Sequence, residues 1–331
     1  MSQALREWLS SEFGGPIVDR SPPTMADGGF DCAVFLLHVT GDHLPPEWAQ
    51  PTVARMPPSP DRFAPLQRET RLQGWCADHG YCAPAPIALL PPGVLGECPV
   101  QVVARAPGTT MTQALSTTPW RLPRLITSLA RTHAELHRLP LPPWAAAEQP
   151  EWSLLERRLA VVRRLAPNLA ADGVPERLAA IDALTPRLSV TEPTICHGDF
   201  HPYNVLVHRR RLAVIDWTDS GIGDHHGDVA RTALLFELPG IAATQPAARA
   251  AMRPVGRALA RRYLNAYQRR MPLDRSRLAL WRPVHLLQLW VQALADEREI
   301  FGPSLAGQRY RTGLAGVLKA QLDADLSAMS S

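Results

Sequence analysis

The spacing of apolar positions changes character along the chain, from strand-like runs at the start to helical periods afterwards. Residues 3–13 fit a short amphipathic helix. The run 31–39 (DCAVFLLHV) follows the turn MADGGFD, which carries Gly28 and Gly29, and reads as a strand; 52–56 (TVARM) reads as a second. Residues 63–79 return to a helical period, with Phe63, Leu66, Thr70 and Cys76 on one side and charges opposite. Residues 85–90 and 99–104 give two more strands, so the first 105 or so residues read β-β-α-β-β, a small mixed sheet with one helix. Beyond Ala106-Pro107-Gly108 the texture is helical: 121–139, 151–166 and 175–184, then about 227–237, 246–270, 280–299 and 304–328. The strand pair 205–207 and 212–215 interrupts it. The class expected is α+β, with a β-rich N-lobe over 1–105 and a larger, mostly helical C-lobe over 106–331.

Composition narrows this picture in a few places. A chain of 331 residues, 46 % hydrophobic and 20 % charged, is long enough for two globular parts. The 33 prolines cluster in stiff connectors such as 57–60 and 140–143. Of 35 basic side chains only Lys319 is a lysine, so a phosphate-binding cation in the first 318 residues has to be Arg or His. The formal charge of +4 is spread among acids, with no basic stripe interleaved with aromatics, so no nucleic-acid partner is expected. Arg209-Arg210-Arg211 reads as a solvated hairpin tip. Five cysteines form no CxxC pair, the N-terminus lacks the pattern of a secretory signal, and no apolar run reaches the ~18 residues of a membrane span. The expectation is a cytoplasmic protein without a membrane partner.

The chemistry concentrates in residues 196–217, CHGDFHPYNVLVHRRRLAVIDW. The two strands in this stretch form a hairpin. Asn204 precedes the first and Asp216 follows the second, so an antiparallel pairing brings them to one edge. Asp199 lies on the loop entering the same edge. Two oxygen ligands there suit a hard cation such as Mg²⁺, completed by phosphate oxygens and water. A carboxylate off the metal can accept a proton from an attacking hydroxyl. Phosphoryl transfer from ATP requires these parts.

These residues resemble a known family. His197-Gly198-Asp199 with Asn204, followed by Ile215-Asp216-Trp217, is similar to the signature of the aminoglycoside phosphotransferase and choline kinase-like superfamily, whose fold is protein-kinase-like and two-lobed. Gly227-Asp228-Val229-Ala230-Arg231 is similar to the family's following segment, where an Asp caps a helix beneath the loop and braces it. The resemblance implies that Asp199 is the catalytic base and that Asn204 and Asp216 bind Mg²⁺. It implies that Gly28 and Gly29 cover the phosphates, that Arg55 anchors them with Glu69 as its acidic partner, and that backbone at Ala104 to Ala106 meets adenine. The expected activity is ATP- and Mg²⁺-dependent transfer of the γ-phosphate to a hydroxyl of a small molecule, an aminoglycoside or other antibiotic or metabolite. Acceptor identity, ATP against GTP, and oligomeric state stay open.

Other readings carry less. His197 and His201 are spaced as HxxxH, but Gly198 and Pro202 oppose the helix a zinc pair needs. His197 reads as a backbone partner within the loop, and Cys196 as a buried thiol. His133 and His137 read as core histidines, and Trp281 to Trp290 as core of the C-lobe. Asp219 and Asp224 face the acceptor or cap loops. Asp296, Glu297 and Glu299 offer a negative patch or a solvated helix end. The rival from another class is a non-catalytic kinase-like nucleotide-binding protein, which would be expected to lose Asp199 or Asp216. A protein kinase is disfavoured by HGD in place of HRD.

Overall fold

The computed structural model describes residues 2–26, 32–145, 152–189, 192–238, 245–298, 300 and 314–330. Gly28, Gly29, Glu299 and the stretch 304–313 of the last expected helix lie outside the described residues.

Along the chain, helix α1 (Ser2–Phe13) precedes the short strands β1 (Val18–Asp19) and β2 (Thr24–Met25), then β3 (Ala33–Leu37), β4 (Val39–Thr40) and β5 (Thr52–Met56). Helix α2 (Phe63–Asp78) leads to β6 (Pro86–Leu90), β7 (Val100–Ala104) and β8 (Thr109–Thr110). Helices α3 (Met111–Thr117), α4 (Leu122–Leu136), α5 (Leu154–Leu165) and α6 (Val174–Asp182) follow. Then come β9 (Thr194–Cys196), the hairpin β10 (Val205–His208) and β11 (Arg211–Val214), and β12 (Gly221–Gly223). Helices α7 (His225–Glu237), α8 (Pro246–Gln268), α9 (Arg275–Glu297) and α10 (Leu314–Ser330) complete the order. This is the α+β, kinase-like arrangement expected. No described helix is long and apolar enough to cross a membrane.

The chain divides into two compact units, Met1–Thr109 with Leu206–Thr218, and Thr110–Val205 with Asp219–Ser331. In the first, a five-stranded sheet has the order β2-β3-β5-β7-β6. Its described pairings are all antiparallel rather than mixed, and β7 lies between β5 and β6, so β5 and β7 pair across the excursion through α2 and β6. Leu5 and Leu9 of α1 pack with Trp48, Ala54, Val100 and Val102 in its core. The hairpin is fixed within this unit. Val214 N–H donates to the Cys82 carbonyl (2.8 Å), and buried Trp217 lies edge-on to Tyr81.

The second unit is helical, with β9 and β12 as a two-stranded insert. Its core gathers α5, α7, α9 and α10, and Trp281 and Trp290 are buried in it as expected. Local chemistry starts these helices. Ser153 caps α5 by accepting from Glu156 N–H, a Ser-x-x-Glu pattern. Asp274 caps α9, accepting from Ser276 and Arg277, so the helix starts at Arg275 rather than at the expected 280.

Candidate active site

In the first unit the site begins at Arg55. Register places Arg55 of β5 opposite Gln101 of β7, so their side chains share a face. Glu69 reaches the same face from α2. Arg55 is no exposed strand residue: its side chain is 13 % accessible and ion-paired with Glu69. Nη1 also donates to Gln101 Oε1 (2.9 Å), and Nη2 donates to Asp216 Oδ1 and Thr218 Oγ1 (both 3.1 Å). Thr218 in turn donates to Asp216 Oδ1 (2.9 Å) or Glu69 Oε2 (3.2 Å). Burial pushes the Glu69 carboxyl up, and Arg55 pulls it back only in part. Gln101 extends the network to Thr70 and Gln73, which ties α2 to the sheet.

Asp216 takes φ +63°, a left-handed conformation uncommon outside glycine. Its Oδ1 is engaged by Arg55 and Thr218, while no described residue meets Oδ2, and the side chain is half exposed. Ala104 N–H is taken by the Ala85 carbonyl and Arg105 N–H by that of Pro51.

In the second unit the loop 197–204 is gripped by one face of α7. Asp228 Oδ2 accepts from His197 N–H (2.6 Å) and Oδ1 from Gly198 N–H (2.9 Å). Thr232 donates to the Phe200 carbonyl (2.6 Å). So Asp228 braces the loop as expected, but the helix cap is Asp224, which accepts from His226 N–H (3.0 Å). Asp228 sits inside the first turn, buried, where its carboxylate can face the loop. Gly198 has φ +81°, and a Cβ there would lie 2.2 Å from the Asp219 carbonyl oxygen, so only glycine permits this approach.

Asp199 projects from this fixed backbone. Its Oδ1 accepts from Arg231 Nε (2.9 Å) and Nη2 (2.8 Å), and its Oδ2 from His201 Nε2 (3.0 Å) and Asn204 Nδ2 (3.3 Å). Burial alone would raise its carboxyl; His201, Arg231 and Arg158 outweigh that and hold it well below the usual carboxylate range. Asn204 Nδ2 also donates to the Asp199 carbonyl (3.0 Å), which leaves the carboxamide oxygen for another partner. Asp219 is held by buried Arg158 (2.8 Å).

His133 and His137 are buried beside Asp228, with Nε2 atoms 3.0 and 3.3 Å from Oδ2. The Tyr263 and Tyr267 hydroxyls lie 2.6 and 2.5 Å from their Nδ1 atoms. Three ligand atoms gather within 4.8 Å, as a metal would require, but each ring nitrogen already has a protein partner. Burial lowers both histidines, His137 to about 4. The loop 197–201 is not helical, which removes the HxxxH arrangement. His197 Nδ1 accepts from Asp199 N–H (3.3 Å), the backbone role expected.

Sequence reasoning passed over Gln101, Thr218, Arg158 and the contacts of Arg231. Gln101 was recoverable from the pairing of strands 52–56 and 99–104. Nothing local marks Arg158, which comes from a helix about forty residues upstream of the loop.

Residues 27–291 match the phosphotransferase enzyme family, APH. No curated protein matches the chain. Among solved structures it is similar to a thermostable mutant of aminoglycoside phosphotransferase APH(4)-Ia in ternary complex with ADP and hygromycin B, at 16 % identity and TM-score 0.60 over 99 % of each chain. It is similar to amicoumacin kinase hAmiN in complex with AMP-PNP, Ca²⁺ and Ami, at 13 % identity and TM-score 0.61 over 99 % of this chain and 93 % of that one. A third is aminoglycoside phosphotransferase APH(3'')-Id from Streptomyces rimosus ATCC10970, at 18 % identity and TM-score 0.56 over 87 % and 98 %. At these identities the likeness is one of fold, while the family match spans most of the sequence. The chain belongs to the phosphotransferase enzyme family.

Proposed function

We propose that the chain is an ATP- and Mg²⁺-dependent kinase that moves the γ-phosphoryl group of ATP to a hydroxyl of a polar small molecule. An aminoglycoside-like antibiotic or a hydroxyl-bearing metabolite is the acceptor class it favours, in keeping with the ligands of its structural neighbours. Residues 1–105 take the nucleotide-binding role, and 106–331 carry the catalytic loop and the acceptor. The observation that carries this reading is Asp199, a carboxylate held ionised on a braced loop with Asn204 beside it.

Asp199 receives the acceptor hydroxyl. The acceptor O–H bond breaks toward the carboxylate, a new O–P bond forms, and the bond from the γ-phosphorus to the bridging oxygen breaks to release ADP. Such a transfer asks little basicity of Asp199, because its transition state is loose and positioning dominates. Asn204 Oδ1 and Asp216 Oδ2 are each a hard oxygen donor without a described protein partner, the donor type Mg²⁺ takes. Bound there, the ion offsets phosphate charge. Arg55 anchors the phosphates through Nη2, whose present partners Asp216 and Thr218 lie on the more exposed side of its network. With the N–H groups of Ala104 and Arg105 already taken, adenine is read by the Ala104 carbonyl and Ala106 N–H.

The test is Mg²⁺-dependent ADP release across a panel of aminoglycosides, macrolides, choline, homoserine and sugars, with Asp199→Asn and Asp216→Ala as controls. Acceptor-stimulated turnover that falls at least ~100-fold in Asp199→Asn supports the reading. Near-wild-type turnover in Asp199→Asn would remove the proposed base. Unchanged Mg²⁺-dependent nucleotide binding in Asp216→Ala would remove the metal ligand.

A further inference from the structure

Helix α7 presents Asp228, Arg231 and Thr232 at i, i+3 and i+4, one face of a helix. Asp228 and Thr232 hold the backbone of the catalytic loop at His197, Gly198 and Phe200. Arg231 turns Nε and Nη2 onto a single oxygen, Oδ1 of Asp199.

Stability alone gives little reason for this arrangement. Arg231 is 6 % exposed, and removing a guanidinium from water costs free energy that an ion pair commonly fails to return. Apolar groups in place of both partners would be nearly neutral, so the pair is not explained by stability. The loop's backbone, moreover, is already secured by two neighbours on the same helix.

The pair does fix the direction of the carboxylate. The Nε–H and Nη2–H of one guanidinium converge on Oδ1 and restrict the χ angles of Asp199. Oδ2 is held by one contact each from an imidazole, His201, and a carboxamide, Asn204, at 3.0 and 3.3 Å. It is the exchangeable oxygen. We infer that Arg231 is a positioning residue for phosphoryl transfer: by locking Oδ1 of Asp199 it presents Oδ2 to the acceptor hydroxyl, which takes over the contact that His201 makes.

This role rests on the phosphotransferase reading above and predicts a particular kinetic signature. Arg231 reaches the site through Oδ1 of Asp199, so its loss should appear in kcat and pass through Asp199. Arg231→Met and Arg231→Lys are to be measured alone and combined with Asp199→Asn, with kcat, both KM values and the melting temperature for each. Arg231→Met is expected to lower kcat by about 30-fold or more while both KM values stay within about threefold. Arg231→Lys keeps the charge without the fork and should return to within about tenfold of wild type. In the Asp199→Asn background, Arg231→Met should cost less than about threefold, because the group it acts through is gone.

An equal loss in both backgrounds makes Arg231 a structural residue and overturns the inference. So does an unchanged kcat, or a loss confined to KM. If Arg231→Met does not fold, Arg231→Lys carries the cycle: its kcat must fall about three- to tenfold at an unchanged melting temperature, and that loss must vanish beside Asp199→Asn. A wild-type chain with no Asp199-dependent turnover on any acceptor overturns the function itself. Turnover that depends on Asp199 but combines additively with Arg231 overturns this role alone.

Discussion

The guanidinium of Arg55 joins four side chains that arrive from α2, β7 and the end of the hairpin. Its removal therefore strands charge. In Arg55→Met the nearly inaccessible Glu69 loses its cation, and a buried charge without its partner costs about 3–5 kcal/mol. Denaturant unfolding of Arg55→Met should show a loss of that size. Arg55→Met/Glu69→Gln should recover more than half of it, since the second change removes the uncompensated carboxylate. A double variant no more stable than the single would mean that Glu69 is already neutral beside Arg55. The pairing of Arg55 with Glu69 was legible through the family resemblance, since the helix itself offers Arg68, Glu69, Arg71 and Asp78. Thr218 was not, because its place depends on the left-handed turn at Asp216, and no residue near it announces that turn. Asp228 was legible as a brace but misassigned as the cap. The sequence places Asp224 and Asp228 four residues apart, and which of them starts the helix is decided by the backbone conformation at Asp224, extended at φ −81° and ψ 117°.

The same contrast between pattern and contact holds for whole elements. Long periodic segments, such as α2, α4 and the strand at 52–56, sit within a few residues of where apolar spacing placed them. The two-residue strands β1, β2 and β4 were invisible, since so few positions carry no period. Their pairing is set by neighbours. The hairpin shows how strongly one contact can fix an element. Gly108 has φ +114°, and a Cβ there would sit 2.4 Å from the Val207 carbonyl oxygen of β10. Gly80 also has a positive φ, +76°, but open space around it. Gly80→Ala should cost about 1 kcal/mol from backbone strain alone. Gly108→Ala adds a backbone clash, pushes the hairpin off its seat, and should cost at least about 2 kcal/mol more. Melting temperatures of the two variants measure the difference, and equal losses would mean that the hairpin tolerates displacement at β10.

At the scale of the whole molecule, acid should unfold the chain in two stages, and the order follows from which groups are buried in which charge state. His137 is lowered to about 4 by burial and by neighbouring His133, and His133 is lowered by burial as well. An unfolded histidine titrates near 6.5. Between that value and about 4 the unfolded chain binds a proton that native His137 refuses, so stability falls as pH falls through this window. The loss from His137 alone is about 3 kcal/mol by pH 4. The carboxylates act lower. Asp199 and Asp228 are held well below the usual range, against the cost of burial, by His201 and Arg231 in the first case and by His133 in the second. Their contribution is complete above the unfolded value near 3.9 and is lost only below it. Urea midpoints followed by helical circular dichroism, which reports mainly the second unit, should therefore drop between pH 6.5 and 4.5, before Asp199 and Asp228 protonate. His137→Gln keeps a polar group beside Asp228 and Tyr267 but cannot take up a proton. It should start less stable at pH 8 and show a visibly shallower decline down to pH 4.5. A wild-type midpoint that stays flat over that range, with a sharp fall only below pH 4, would mean that the protonated imidazole is accommodated next to Asp228, and that the histidine pair serves the brace as a cation.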